Sequence, residues 1–388
     1  MARLHEFLEG RHTTMSGTTA EKSQGRQWAP RFWEGCNLPA WFKLLARNRF
    51  AVQPSYWYIA AVISCVSGGH SVLRLVEQAF LRHKIRRTKI EQPPLFILGH
   101  WRSGTTLLHE LLIMDERHSF PTTYECLEPN HFLISEKVLS KLFWFLMPGS
   151  RPMDNMAAGW HRPQEDEFAM CMLGAPSPYL TIAFPNHPPA YPEYLDLEQV
   201  PTQAREKWKR LFVGLLQRIT YRNPKRLVLK SPPHTARIPI LLEMFPDAKF
   251  VHIARNPYVI FPSTVHTWKS LYKKHGLQTP TFAGLDEYVY STFERMYERY
   301  EAGRKLADPS RFHELRYEDL MQNPLTEMER LYRQLSLGEF DRVKPRLEQY
   351  LEQNKGYETN KYDLTPEQKI EITRRWASYI QRYGYGRE

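Results

Sequence analysis

The segment that most restricts this chain is a short apolar run, Leu95-Phe96-Ile97-Leu98. It passes through Gly99-His100-Trp101-Arg102-Ser103-Gly104 into Thr105 to Met114, where Leu107, Leu108, Leu111 and Leu112 recur at helical spacing. Four consecutive apolar residues suit a strand buried on both faces, as in a parallel sheet. Strand, glycine-bearing loop and helix in that order predict an α/β fold. The two glycines keep the G-x-x-x-x-G spacing of a phosphate loop, with Thr105 where a nucleoside triphosphatase carries lysine. Backbone N–H groups of such a loop and of the helix start can wrap a tetrahedral oxyanion. Thr105 and Thr106 add hydroxyls there, and Arg102 adds charge.

Two similar runs follow. Leu227-Val228-Leu229 leads through Lys230-Ser231-Pro232-Pro233 into a helix from Ile238 to Phe245, and Phe250 to Ala254 leads into a helix from about Tyr258. A fourth strand is predicted at Phe312 to Arg316, after a long amphipathic helix from about Leu285 to Leu306, and a closing helix at Pro366 to about Tyr383 with Thr365 as its N-cap. The economical architecture is a P-loop-type three-layer α/β/α domain with a central parallel sheet. It would occupy residues 91–388, preceded by a polar leader and helical extension at 1–90. A long insertion at about 117–225 should cover a sheet edge or build a substrate wall.

Charge narrows the partners. Fifty-three Lys and Arg against 42 Asp and Glu leave a formal +11, which favours anions without naming one. Four cysteines, Cys36, Cys65, Cys126 and Cys171, lie far apart with no C-x-x-C pair, so no zinc site or disulfide framework is indicated and a reducing compartment is expected. The first 25 residues carry charges throughout and lack an apolar core, unlike a secretory signal; the expected location is cytoplasmic. Tyr58 to Ser67, about ten apolar residues closed by Gly68-Gly69, is too short to cross a bilayer and predicts a core helix. Arg82, Lys84, Arg86, Arg87 and Lys89 just beyond it leave a peripheral membrane contact open.

Arg255 ends an apolar strand, where ligands of such sheets bind, and Ser263 lies eight residues on. A planar guanidinium can grip two phosphate oxygens and a hydroxyl near a helix start a third.

The run Phe96 to Leu108 resembles the 5′-phosphosulfate loop of sulfotransferases that use 3′-phosphoadenosine 5′-phosphosulfate, with the tyrosylprotein sulfotransferases and the related bacterial group closest in pattern. Leu229-Lys230-Ser231-Pro232-Pro233-His234 and Phe245 to Pro257 extend the resemblance, which spans roughly Pro94 to Tyr385. It implies an enzyme that moves a sulfuryl group by in-line displacement, without a metal, to a hydroxyl of a small molecule, lipid, sugar or tyrosine. Nucleic acid is not expected as a partner.

The resemblance also implies roles. Arg102, Ser103, Gly104, Thr105 and Thr106 would hold the sulfate and 5′-phosphate, Arg255 and Ser263 the 3′-phosphate, and Tyr317 in Leu315-Arg316-Tyr317-Glu318-Asp319-Leu320 the adenine or 3′-phosphate. Lys230 matches a lysine beside the sulfate and would neutralise the leaving oxygen. Glu125 stands at nearly the interval of the tyrosylprotein enzymes' catalytic glutamate and is the favoured base. Its rivals are His234 and the acids of His161-Arg162-Pro163-Gln164-Glu165-Asp166-Glu167, chiefly Glu165 and Glu167, although first-turn acids usually serve the helix dipole. Lys361 falls where the family sends a basic loop over the donor. Two other readings stay open: a kinase-like enzyme using magnesium ATP, and a non-enzymatic binder of polyanions or membrane surfaces.

Overall fold

The computed structural model describes residues 31–142, 159–354 and 362–386. Helices α1 (Leu38–Arg47) and α2 (Trp57–Arg87) precede β1 (Leu95–Leu98) and α3 (Thr105–Leu112). Next come β2 (His118–Ser119), α4 (Thr123–Leu127), α5 (Phe132–Leu142), α6 (Asp166–Met172), α7 (Thr202–Arg222) and β3 (Arg226–Lys230). After α8 (Ile238–Met244) the chain forms β4 (Lys249–Ala254), α9 (Pro257–His275), α10 (Leu285–Arg304) and β5 (Phe312–Arg316). It continues through α11 (Tyr317–Gln322), α12 (Pro324–Gln334), α13 (Lys344–Gln353), α14 (Pro366–Arg375) and α15 (Ala377–Tyr383).

The strands lie in the order β2-β3-β1-β4-β5, every neighbouring pair parallel. Phe96 at the centre of β1 is flanked by Leu229 and Phe250. The four strands expected from their apolar runs are all present. The fifth, β2, lies inside the stretch read as an insertion and joins the sheet edge through His118 opposite Arg226. Two residues carry no periodicity, so only the pairing defines it.

Alternation of side chains sets the layers. Phe96, Leu98, Leu229 and Phe250 point into one core with Trp208 and Phe212 of α7, Phe261 of α9 and Phe293 of α10. Leu95, Ile97, Val228 and Val251 point into the other, with Leu108 and Leu111 of α3 and Met328 and Leu331 of α12. The architecture is therefore the expected three layers. Trp33, Trp41, Ile59 and Ile63 belong to the first core, so the segment before the sheet packs against the body. Thr365 caps α14 with a hydroxyl that accepts from Gln368 N.

Helix α2 departs from expectation. Instead of a ten-residue core helix it runs 31 residues, straight through Gly68 and Gly69. A helical glycine costs only about 1 kcal/mol, and the inner face offsets it. Ser64 Oγ accepts from Trp41 Nε1 at 2.9 Å, Ser71 Oγ accepts from Leu38 N at 2.8 Å, and Ile63 is fully buried. The outer face is exposed along its whole length, so this is not a core helix.

Candidate active site

Parallel strands present all their carboxyl ends at one edge, and four of them deliver a singled-out residue there: Gly99 after β1, Lys230 at the end of β3, Arg255 after β4 and Tyr317 after β5. The first loop is tightly held. Gly99 N donates to Thr235 Oγ1 at 2.8 Å, the Thr235 hydroxyl donates to Gly99 O at 3.1 Å, and the Ser103 hydroxyl donates to His100 O at 2.8 Å. Gly104 has φ +101°, and a Cβ there would stand 2.4 Å from Tyr317 Cδ2, so only glycine fits. Arg102 is left-handed at φ 70°, a conformation a non-glycine residue holds only when its surroundings impose it. Thr105, buried, and Thr106, half-buried, open α3 with its N–H groups at the same edge.

The two anion sites read separately from the sequence are contiguous. Arg102 Nε donates to Ser263 Oγ at 3.0 Å, and Arg255 Nη1 donates to Arg102 O at 2.9 Å. The Arg255 guanidinium lies 4.1 Å from the centre of the Tyr317 ring. Burial raises the Tyr317 phenol above its ordinary pKa, and Arg255 opposes the rise. Behind them, the Tyr379 hydroxyl accepts from Arg255 N at 3.0 Å and donates to Arg255 O at 2.9 Å.

Three consecutive acids at the start of α6 each take a different partner from the end of β3 and the segment after it. Glu165 Oε1 accepts from Lys230 Nζ at 2.8 Å, and Oε2 accepts from the Tyr179 hydroxyl, which itself accepts from Trp101 Nε1 at 2.9 Å. Asp166 Oδ2 meets His234 Nε2 at 2.8 Å. Burial alone would raise the Asp166 carboxyl, but His234 and Ser231 hold it below its usual value. Glu167 accepts from both Arg237 amino groups, at 2.6 and 3.0 Å, and from the Ser177 hydroxyl at 2.6 Å. Burial, then the charge of Lys230, carry His109 nearby down to about 3, so it is neutral.

Several expectations change here. Glu125 is the third residue of a capping box: Oε2 accepts from Thr122 N at 2.7 Å and Oε1 accepts from Arg222 Nη1 at 2.8 Å. Its partners thus belong to α4 and α7, and Lys230 is paired with a different acid, Glu165, so Glu125 stands as a structural brace beside the site's lysine–carboxylate pair. His234 is fully buried against Asp166, and Glu167 is closed off by Arg237, Ser177 and its own burial. The Ser103 hydroxyl is spent within the loop. Lys361 lies outside the described residues. What sequence reasoning missed is the pairing of Glu165, Asp166 and Glu167 with Lys230, His234 and Arg237, whose i, i+4, i+7 spacing was the available signal. It also missed the aromatic wall beside Glu165: Trp101 lies 5.9 Å from Tyr179 and 5.8 Å from Trp268, centre to centre.

Arg102, Lys230 and Arg255 thus stand on one sheet edge with backbone and hydroxyl donors, and one carboxylate touches the lysine. Such a set can bind a compound with several anionic groups, neutralise a leaving oxygen and receive a proton.

A sequence profile of the sulfotransferase family matches residues 93–342. Curated relatives from Mycobacterium bovis and Mycobacterium tuberculosis are each 51% identical over 370 residues, 95% of this chain and 95% of theirs; both are named omega-hydroxy-beta-dihydromenaquinone-9 sulfotransferase Stf3. Among solved structures, sulfotransferase STF9 from Mycobacterium avium aligns with a TM-score of 0.63 at 19% identity, over 88% of this chain and 91% of its own. STF1 from Mycobacterium tuberculosis gives 0.60 at 20% identity, over 89% and 92%. At that identity the likeness speaks for the fold.

Proposed function

This chain belongs to the sulfotransferase family, and from that premise we propose how its site holds the donor, which residues move the proton and which acceptor it takes. The enzyme transfers a sulfuryl group to a hydroxyl. The family's donor is 3′-phosphoadenosine 5′-phosphosulfate, which supplies an activated sulfuryl group and carries three anionic groups. The residues fit it: a loop whose Gly104 leaves no room for a Cβ, three cations and a buried serine share one edge. In this reading the loop N–H groups, Arg102, Thr105 and Thr106 take the sulfate and 5′-phosphate, and Arg255 with Ser263 takes the 3′-phosphate. Tyr317 positions Arg255 and floors the loop.

Lys230 neutralises the oxygen on which charge builds as the old S–O bond breaks. Glu165 receives the acceptor's hydroxyl proton as the new S–O bond forms. Glu165 takes the role first given to Glu125 because it meets Lys230 and borders the aromatic wall of Trp101, Tyr179 and Trp268.

The acceptor is the terminal hydroxyl of a long isoprenoid lipid, such as a hydroxylated menaquinone. The supporting observation is 51% identity over 95% of both chains with relatives named for that acceptor. The four cysteines are free thiols, in keeping with the reducing cytoplasm proposed for the reaction. The test is twofold: a thermal shift with adenosine 3′,5′-bisphosphate, then labelled-sulfate transfer to an omega-hydroxylated polyprenyl quinone, its non-hydroxylated parent and a tyrosine peptide. Transfer to the first alone is expected. Equal transfer to the peptide would sink the lipid assignment.

A further inference from the structure

Pro54–Arg87 is long and apolar enough to cross a membrane, yet its inner side is fastened to the protein from end to end. Ile59, Ile63, Ser67, His70, Glu77 and Ile85 are buried, Glu77 is paired with Arg218 of α7, and the Thr88 carbonyl accepts from Gln217 Nε2 at 3.2 Å. A helix held on one side along its length cannot leave the body to span a bilayer without breaking those contacts.

Its other side is a continuous apolar stripe. Tyr58, Val62, Val66, Val72, Val76 and Phe80 are exposed, with Leu75 beside them at 66% and Phe80 itself at 76%. Steps of three and four residues, with one of six across Gly68 and Gly69, keep them on one side of the helix, and 22 residues at 1.5 Å per residue give a length of about 33 Å. Between Trp57 and Leu81 the charged residues are Arg74, which donates to Asn130, and the buried Glu77, so the exposed stripe carries no acid. Immediately after it come Arg82, Lys84, Arg86, Arg87 and Lys89, all exposed and none with an acidic partner among the described residues. At the opposite end stand two exposed aromatics, Trp57 at 63% and Phe50 at 57%, the latter held outward in a left-handed turn at φ 56°.

We propose that the outer face of α2 is a docking surface for an anionic lipid bilayer, lying in the plane of the membrane with its apolar stripe among the acyl chains and Arg82 to Lys89 among the headgroups. This deepens the functional reading above and rests on it: a long isoprenoid acceptor resides in a bilayer, and an enzyme parked on that surface meets it without extracting it into water. Charge complementarity selects the occupant. Apolar surface alone would suit any partner, but a stripe free of acids that ends in five cations with no acidic partner among the described residues is the signature of an interfacial helix on acidic lipids. A second copy of this chain is the competing occupant.

Vesicle flotation decides it. The intact protein should float with vesicles of phosphatidylcholine and phosphatidylglycerol, much less with phosphatidylcholine alone, and less as salt rises. Each of Arg82→Gln, Lys84→Gln, Arg86→Gln and Arg87→Gln should weaken binding to the acidic vesicles about fivefold. Val72→Asp combined with Leu75→Asp should abolish flotation while leaving the thermal shift with adenosine 3′,5′-bisphosphate, and sulfation of a short detergent-dispersed acceptor, unchanged. Failure of the intact protein to float, flotation indifferent to the aspartates, or a stable dimer split by Leu75→Asp in sedimentation would each overturn the proposal. Sulfation of the dispersed lipid without flotation would reject the docking surface alone, and flotation without any lipid sulfation would reject the acceptor alone.

Discussion

The Lys230 ammonium donates to Glu165 across 2.8 Å, although one comes from the end of β3 and the other from the start of α6 and both are nearly buried. A pair placed so is costly to break from one side, since the survivor is left as an uncompensated charge, about 3–5 kcal/mol. Stability and chemistry must therefore be separated when either is changed. Glu165→Gln should slow the transfer step by about 10²–10⁴-fold while adenosine 3′,5′-bisphosphate still binds. Lys230→Met should lose both rate and melting temperature, and adding Glu165→Gln to it should restore the melting temperature but not the rate. Single-turnover transfer of labelled sulfate beside thermal unfolding reads both; a Glu165→Gln enzyme at near-normal rate removes Glu165 as the base.

Glu125→Ala is expected to behave in the opposite way. It deletes a capping-box acceptor and one of the two carboxylates on Arg222, which keeps Glu136, so unfolding should become easier by about 1–2 kcal/mol. The transfer step per folded molecule should stay within a few-fold. A large loss of the chemical step with normal stability would return the base to Glu125.

Arg255→Ala should weaken binding of adenosine 3′,5′-bisphosphate by about 10- to 100-fold, the weight of a hydrogen bond to a charged group. Ser263→Ala should cost less. At saturating donor both should still turn over, and calorimetric titration against saturation kinetics distinguishes that pattern from a collapse of the site.

Gly104→Ala meets two obstacles at once, the Tyr317 ring 2.4 Å from the new Cβ and a φ of +101°. Donor binding should be lost and the melting temperature should fall by several degrees. Tyr317→Ala in the same chain opens the space but leaves the backbone strained, so rescue should be partial. Full rescue would show that the backbone conformation contributes nothing.

Acid should destabilise the protein early. His70 and His313 are carried down to about 4, and His100, His109, His131, His252 and His275 to about 3, in every case by burial first. An unfolded histidine takes up its proton near pH 6.5. Between there and about pH 4 the unfolded chain binds protons the fold excludes, so stability rises with pH across that window. Glu128, raised to about 8 by burial and then by Glu34, acts the other way above pH 4.5, as do Glu34, Glu77 and Glu125, also raised by burial first, but they are four groups against seven. The melting temperature should drop between pH 7 and 5, and a flat profile would contradict the burial of these imidazoles.

The strands and the anion loop were legible because their signals are local: four-residue apolar runs and two glycines at fixed spacing. The strand His118–Ser119 was not, because only its pairing with β3 makes it one. The length of α2 was hidden by Gly68 and Gly69, whose unfavourable propensity gives way to packing on the inner face. Glu125 and Glu165 look alike in sequence, each an acid at the start of a short helix. Which of them meets Lys230 depends on a contact across 65 residues, beyond the reach of any local pattern. Glycine spacing singled out the loop after β1, but its join to Arg255 and Ser263 runs through the side chain and carbonyl of Arg102, and only the folded chain brings those together.

The Tyr379 hydroxyl holds both backbone polar groups of Arg255, which sets an order of events during synthesis. A nascent chain emerges amino end first. When its first 370 residues are out, it already has the glycine loop, all three cations, Glu165 and the Tyr317 ring against the Arg255 guanidinium, yet nothing to hold the backbone of Arg255. The last brace on Arg255 thus arrives only with α15, and an interrupted polypeptide is a nearly whole sheet with that arginine's backbone unheld.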